Sequence, residues 1–125
     1  MKKIHQTSNT DPGFVLAKAA VRSSQLLGLT HVGFARIIGI SETSMYRINN
    51  GERPIDPTTK EGELAALLVR LYRSLDALVG NDTDKRHAWL TSYNSALNGI
   101  PKELILKPDG LVFTLSYLDA MRAPI

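Results

Sequence analysis

The sequence predicts an all-α protein built from an N-terminal helix-turn-helix bundle, a long connecting helix and a small C-terminal helical lobe. Three observations carry this expectation. Apolar residues recur three and four positions apart in segment after segment, the period of a helix with one buried face. Clusters of Gly and Pro, such as Asp11-Pro12-Gly13, Gly99-Ile100-Pro101 and Lys107-Pro108-Asp109-Gly110, punctuate those segments. No alternating strand pattern and no internal repeat competes with the helical one.

Asp11-Pro12-Gly13 closes a polar leader, residues 1–13, expected to be loose or partly ordered. A first helix follows over Phe14–Leu27, with Leu16, Ala19, Ala20, Leu26 and Leu27 at helical spacing. Thr30 caps a short helix to Ile38 that turns Phe34, Ile37 and Ile38 inward. Gly39-Ile40-Ser41 makes a tight turn, and Ser41 caps the next helix, which stops at Gly51. Arg53-Pro54-Ile55-Asp56-Pro57 is a rigid connector. The longest helix covers about Thr59–Val79, its Leu64, Leu67, Leu68, Leu71, Leu75 and Leu78 forming one stripe. Gly80-Asn81-Asp82 ends it and divides residues 14–80 from a second region, 81–125. There a helix over Thr83–Leu97 buries Trp89, Leu90, Tyr93, Ala96 and Leu97, and a short one runs from Pro101 through Leu106. The last helix sets Leu111, Val112, Leu115, Leu118 and Met121 at spacings of three and four.

Composition narrows the function classes. The chain has 125 residues, 43% of them hydrophobic and 22% charged, enough apolar material for one compact domain or two very small ones. No apolar run approaches the ~20 residues of a membrane span, and the start lacks the apolar stretch of a secretory signal. Cysteine is absent, which removes disulfides, thiolate metal sites and a cysteine nucleophile. A cytoplasmic location is expected. The net charge of +3 is uneven: residues 1–60 carry eight Lys/Arg against four Asp/Glu, residues 61–125 seven against eight. The basic front half suits an anionic partner.

That half holds the strongest motif. In Leu29–Gly51 two short helices meet at Gly39-Ile40-Ser41, the composition of a helix-turn-helix. Ala35 permits close approach of the two helices, Gly39 takes the strained backbone of the turn, and Ile40 plugs the gap. Met45 and Ile48 seat the second helix. Glu42, Thr43, Ser44, Tyr46, Arg47 and Asn50 are left facing outward with Ser41, a hydrogen-bonding surface suited to a major groove. Thr43 and Arg47, one turn apart, are candidates for base edges, Arg47 by gripping a guanine bidentately. Ser44, Asn50, His31 and Arg53 are candidates for phosphates. Glu42 is tolerable among phosphates where it accepts from a cytosine amine. The same segment also reads as an ordinary αα-hairpin with a solvated face.

Enzymatic chemistry has little support. His5, His31 and His87 are scattered, and Asp84 with His87 reads as a solvated pair rather than a dyad. No glycine-rich phosphate loop or nucleophile elbow is present. Neither a cofactor, a metal nor a small-molecule substrate is expected. In the second region Trp89, Tyr93 and Leu97 lie four apart, followed by Ile100 and Pro101. They form a small core or a docking surface, since about forty residues bury little area alone. Their apolar side has three possible occupants: the long helix, a second copy, or a different protein.

With these residues laid out, the sequence resembles the Xre/MbcA/ParS antitoxins of bacterial type II toxin–antitoxin modules over nearly all of residues 15–125. The front part is the Xre-like helix-turn-helix. The more specific signature is Ala88-Trp89-Leu90, Asn94, Leu97, Gly99, Pro101, Leu104, Gly110, Val112 and Tyr117-Leu118-Asp119-Ala120-Met121-Arg122. The resemblance implies a homodimeric antitoxin, not an enzyme, that binds a RES-domain toxin through its C-terminal region and represses its own operon. RES toxins deplete NAD⁺, so the antitoxin acts by occluding the toxin's cleft. It further implies that Trp89, Tyr93, Asn94, Leu97 and Pro101 shape or contact the toxin-binding lobe, and that Arg122, Ala123, Pro124 and Ile125 lie closest to the toxin. The alternative is a stand-alone repressor whose C-terminal lobe only dimerises.

Overall fold

Side-chain caps set most of the helix boundaries. A computed structural model describes residues 11–122, which form seven helices and no strand: α1 Pro12–Leu26, α2 His31–Ile38, α3 Glu42–Asn49, α4 Lys60–Val79, α5 Thr83–Thr91, α6 Pro101–Leu104 and α7 Pro108–Arg122. Asp11, Thr30, Ser41, Thr59 and Asp82 stand in extended backbone just ahead of α1 to α5. Their side-chain oxygens accept from the amides of Gly13, Gly33, Ser44, Gly62 and Lys85. Each such cap satisfies an amide that has no partner inside the helix, worth about 1 kcal/mol. Gly39 and Gly80 end α2 and α4 in left-handed backbone, φ 78° and 67°, where a side chain would be strained.

Four boundaries depart from the sequence expectation: α6 stops at Leu104, short of Leu106, and the other three each have a local reason. α1 begins at Pro12, not Phe14, because a proline at the first helical position needs no amide partner and Asp11 caps it. α7 begins at Pro108 in the same way, inside what the sequence suggests is a turn. α5 ends at Thr91, well short of Leu97. Beyond it Asn94 and Gly99 exchange both backbone hydrogen bonds, 2.8 and 3.2 Å, and the Asn94 side chain accepts from the Leu97 amide at 3.1 Å. Asn98, at φ 56°, closes this loop in left-handed backbone. Asparagine bonds its own neighbourhood in preference to extending a helix, so Tyr93 and Ala96 are exposed rather than buried.

The helices share one continuous core with α4 as its common wall. Phe34, Ile37 and Ile38 of α2, Met45 and Ile48 of α3, and Ile55 of the connector are buried with Leu68, Leu71 and Leu75 of α4. Leu90, Ile105, Leu111, Leu115 and Leu118 continue the same cluster on the C-terminal side. α1, α2 and α5 pack against α4, and α7 packs along it most extensively. Of the three occupants foreseen for the lobe's apolar side, the long helix takes the main part. Leu64 and Leu67 are half-buried, and Leu78 is exposed at the end of the stripe.

Polar ties lock these contacts. Arg86 of α5 is 3% exposed; its Nε donates to the Leu26 carbonyl at 3.0 Å and its Nη1 to Asp76 at 3.4 Å. Its guanidinium carbon lies 5.6 Å from the centre of the Tyr72 ring, a cation–π arrangement. Between α4 and α7, the Asp119 carboxylate accepts from the buried Ser74 hydroxyl at 2.7 Å and from Arg70 at 3.1 Å. Arg122 in turn donates to Ser74 at 2.8 Å. In the connector, the backbone amide and then the hydroxyl of Thr58 donate to Asp56 and hold its carboxyl below the usual carboxylate range.

Candidate nucleic-acid interface and partner-binding lobe

The α2–α3 turn is built as its residue types require. The Gly39 and Ile40 amides both donate to the Ala35 carbonyl, at 2.9 and 3.1 Å, which folds the chain back tightly after α2. Ala35 is buried at the crossing and Ile40 is half-buried between the helices. Met45 and Ile48 anchor α3 from beneath. That anchoring leaves Glu42, Thr43, Tyr46, Arg47 and Asn50 exposed on the opposite side.

The other candidates for this interface differ in how free they are. Ser44 is half-buried, and the Ser41 hydroxyl oxygen is engaged in capping, 3.1 Å from the Ser44 amide. His31 is exposed at the first residue of α2. Arg53 is half-buried and paired with Glu61 at 3.0 Å, so its charge is already partly neutralised. Among the described residues Arg47 makes no ion pair. Lys18, Arg22 and Gln25 of α1 line a groove shared with Ile48, Asn49 and Gly51 beside α3. The sequence reading missed these three, although their spacing of four and then three along one polar side of α1 was available as a signal.

In the C-terminal lobe, Leu97, within the Asn94–Gly99 loop, and Pro101, at the start of α6, are buried. Trp89 and Asn94 are half-buried. Tyr93 is exposed, with its hydroxyl donating to Asn98 at 2.7 Å. Arg122 is exposed beside Ser74 and Asp119, and Ala123, Pro124 and Ile125 lie outside the described residues. α7 corrects the inward set read from spacing alone. Leu111, Thr114, Leu115 and Leu118 face the core, whereas Val112 and Met121 face outward, together with Phe113. His87 and Asp84 are both exposed on α5, and no cluster of metal-ligating side chains occurs among the described residues. No helix there is long and apolar enough to cross a membrane.

A short helix pair joined through a left-handed glycine, with a hydrogen-bonding outer face and a second helical region carried on the same long helix, defines a helix-turn-helix regulator with an attached interaction module. Comparison with protein families makes this specific. Residues 12–70 match the antitoxin Xre-like helix-turn-helix domain, and residues 74–123 match the antitoxin Xre/MbcA/ParS C-terminal toxin-binding domain. Together the two matches span almost the whole chain, which belongs to the Xre/MbcA/ParS-type antitoxins: it pairs a DNA-binding domain with a domain for a toxin partner. Among curated proteins nothing matches it.

Proposed function

We propose that the partner is a RES-domain toxin that depletes NAD⁺, and that this chain, as a cytoplasmic homodimer, covers the toxin's active-site cleft while repressing its own operon. The observation that carries the reading is the presence on one chain of both matched domains, one for DNA and one for a toxin. The division of labour runs with the sequence, residues 14–80 for DNA and 81–125 for the toxin. The chain itself works by binding and contributes no catalytic group.

On the DNA side, Thr43 and Arg47 read base edges, flanked by Ser41, Glu42 and Tyr46, while His31, Ser44, Asn50 and Arg53 hold phosphates. The exposure of Thr43 and Arg47 on the side of α3 away from its anchors supports this assignment. On the toxin side, Trp89, Tyr93, Asn94, Leu97 and Pro101 form or support the contact surface, with Arg122, Ala123, Pro124 and Ile125 nearest the cleft. Leu97 and Pro101, both buried, shape this lobe from inside.

Arg47→Ala weakens binding to the operator by about 1–3 kcal/mol and relaxes preference at one base pair. Titration of the variant against a set of single-base operator mutants checks this, and an equal loss on every sequence contradicts base reading. The partner assignment is tested by co-expression with the product of the neighbouring reading frame. A stable complex, together with NAD⁺ levels that collapse when the partner is expressed alone and recover when both are present, is the expected result. A complex without any NAD⁺ effect removes the RES assignment and keeps the antitoxin. Absence of a complex leaves a repressor whose C-terminal lobe only dimerises.

A further inference from the structure

α7 is the segment whose chemistry its surroundings least explain. From Leu111 to Leu118 it carries no charged side chain, whereas a helix with one face in solvent normally sets charged or polar residues along that face. Here α4 and, at its start, α6 cover part of α7. The rest presents Val112, Phe113 and Met121, 48%, 52% and 52% exposed, with Tyr117 half-buried and Ser116 and Ala120 between them. Phe113, Tyr117 and Met121 follow one another at intervals of four, so they stack along a single stripe.

The charges at the helix end do not interrupt that stripe. Asp119 and Arg122 are drawn toward α4 by Ser74 and Arg70. What remains is rich in aromatic residues and methionine, the composition of interface centres and not of solvated surfaces.

We propose that this outer face of α7, centred on Phe113 and Tyr117 and ending at Met121, is the surface that seats in an apolar groove of the toxin. The inference rests on the antitoxin reading and adds this face of α7 to the contact surface assigned above. One fact favours the toxin over a second copy of the chain: the face lies within the segment matched as toxin-binding, residues 74–123.

Deleting α7 is no test, because α7 buries Leu111, Leu115 and Leu118 in the shared core. Two exposed positions serve instead, Phe113→Glu and Ser116→Arg, the second placing a bulky charge in the stripe without removing any packed atom. Each is titrated against the purified product of the neighbouring reading frame, alongside thermal melting, promoter binding and molar mass in solution. The expected result is a complex weakened at least about tenfold, with melting, promoter binding and self-association unchanged. Variants that bind the partner within about twofold of the parent chain overturn the surface assignment and leave the antitoxin reading intact. Variants that lose self-association but keep the partner overturn it equally, and assign the face to a second copy. A parent chain that binds no such partner overturns the antitoxin reading itself, and this surface with it.

Discussion

Arg86→Met lowers the stability of the fold by about 3 kcal/mol, the low end of the range for breaking a buried charged network. The side chain is 3% exposed and ties α5 to two other helices: to α1 through the Leu26 carbonyl, and to α4 through Asp76 and the Tyr72 ring. Methionine fills much of the same volume and restores none of these bonds. Leu26 then loses a buried donor, while Asp76, partly exposed, recovers some solvation. Arg86→Lys is expected to recover little, because one ammonium cannot serve a carbonyl and a carboxylate in different directions and also lie flat on a ring. Urea unfolding followed by circular dichroism reads the change. A loss under about 0.5 kcal/mol, the level of an ordinary surface substitution, contradicts the role given to Arg86.

Gly110→Ala and Gly62→Ala each destabilise by about 3 kcal/mol or more, because the obstacle is backbone and cannot rotate away. A Cβ at Gly110 would stand 1.9 Å from the Leu104 carbonyl oxygen, and one at Gly62 would stand 2.0 Å from the Asp56 carbonyl oxygen. Both glycines lie in the first turn of a helix, where the preceding connector crosses directly over it. Gly33→Ala is the counter-example. Gly33 sits inside α2 with its nearest foreign atoms 3.4 and 4.0 Å from the added carbon, so the higher helix propensity of alanine stabilises by up to about 1 kcal/mol. Melting curves of the three variants should therefore shift in opposite directions. A Gly110→Ala protein as stable as its parent contradicts the tight crossing of the α6–α7 connection over α7.

The helix-turn-helix is legible in the sequence because its determinants are local. Thr30 and Ser41 cap, Gly39 turns, and Ala35, Met45 and Ile48 pack within twenty residues of one another. The C-terminal region is less legible for physical reasons. Helical spacing carries α5 on to Leu97, but the two asparagines at 94 and 98 divert the backbone into a bonded loop. On α7 no residue from 111 to 118 is charged and apolar residues fall on several sides, with Thr114 inside and Ser116 outside, so spacing cannot separate the face toward α4 from the face toward solvent. Arg86 was invisible for the opposite reason. A charged residue in a polar helix reads as solvated, and only the three-dimensional meeting of Leu26, Asp76 and Tyr72 makes its burial favourable. The outward residues of α3 follow from the positions of its anchors, whereas Lys18, Arg22 and Gln25 come beside it only through the packing of α1.

The shared wall also links the lifetimes of the two activities. A protease that trims the chain back past α7 strips the cover from one flank of α4, and the other flank supports the helix-turn-helix. Loss of that fifteen-residue helix therefore disturbs the support of both halves of the molecule. On the function proposed above, degradation of this protein would free the toxin and relieve repression of the module in a single event, with no separate signal needed to coordinate them.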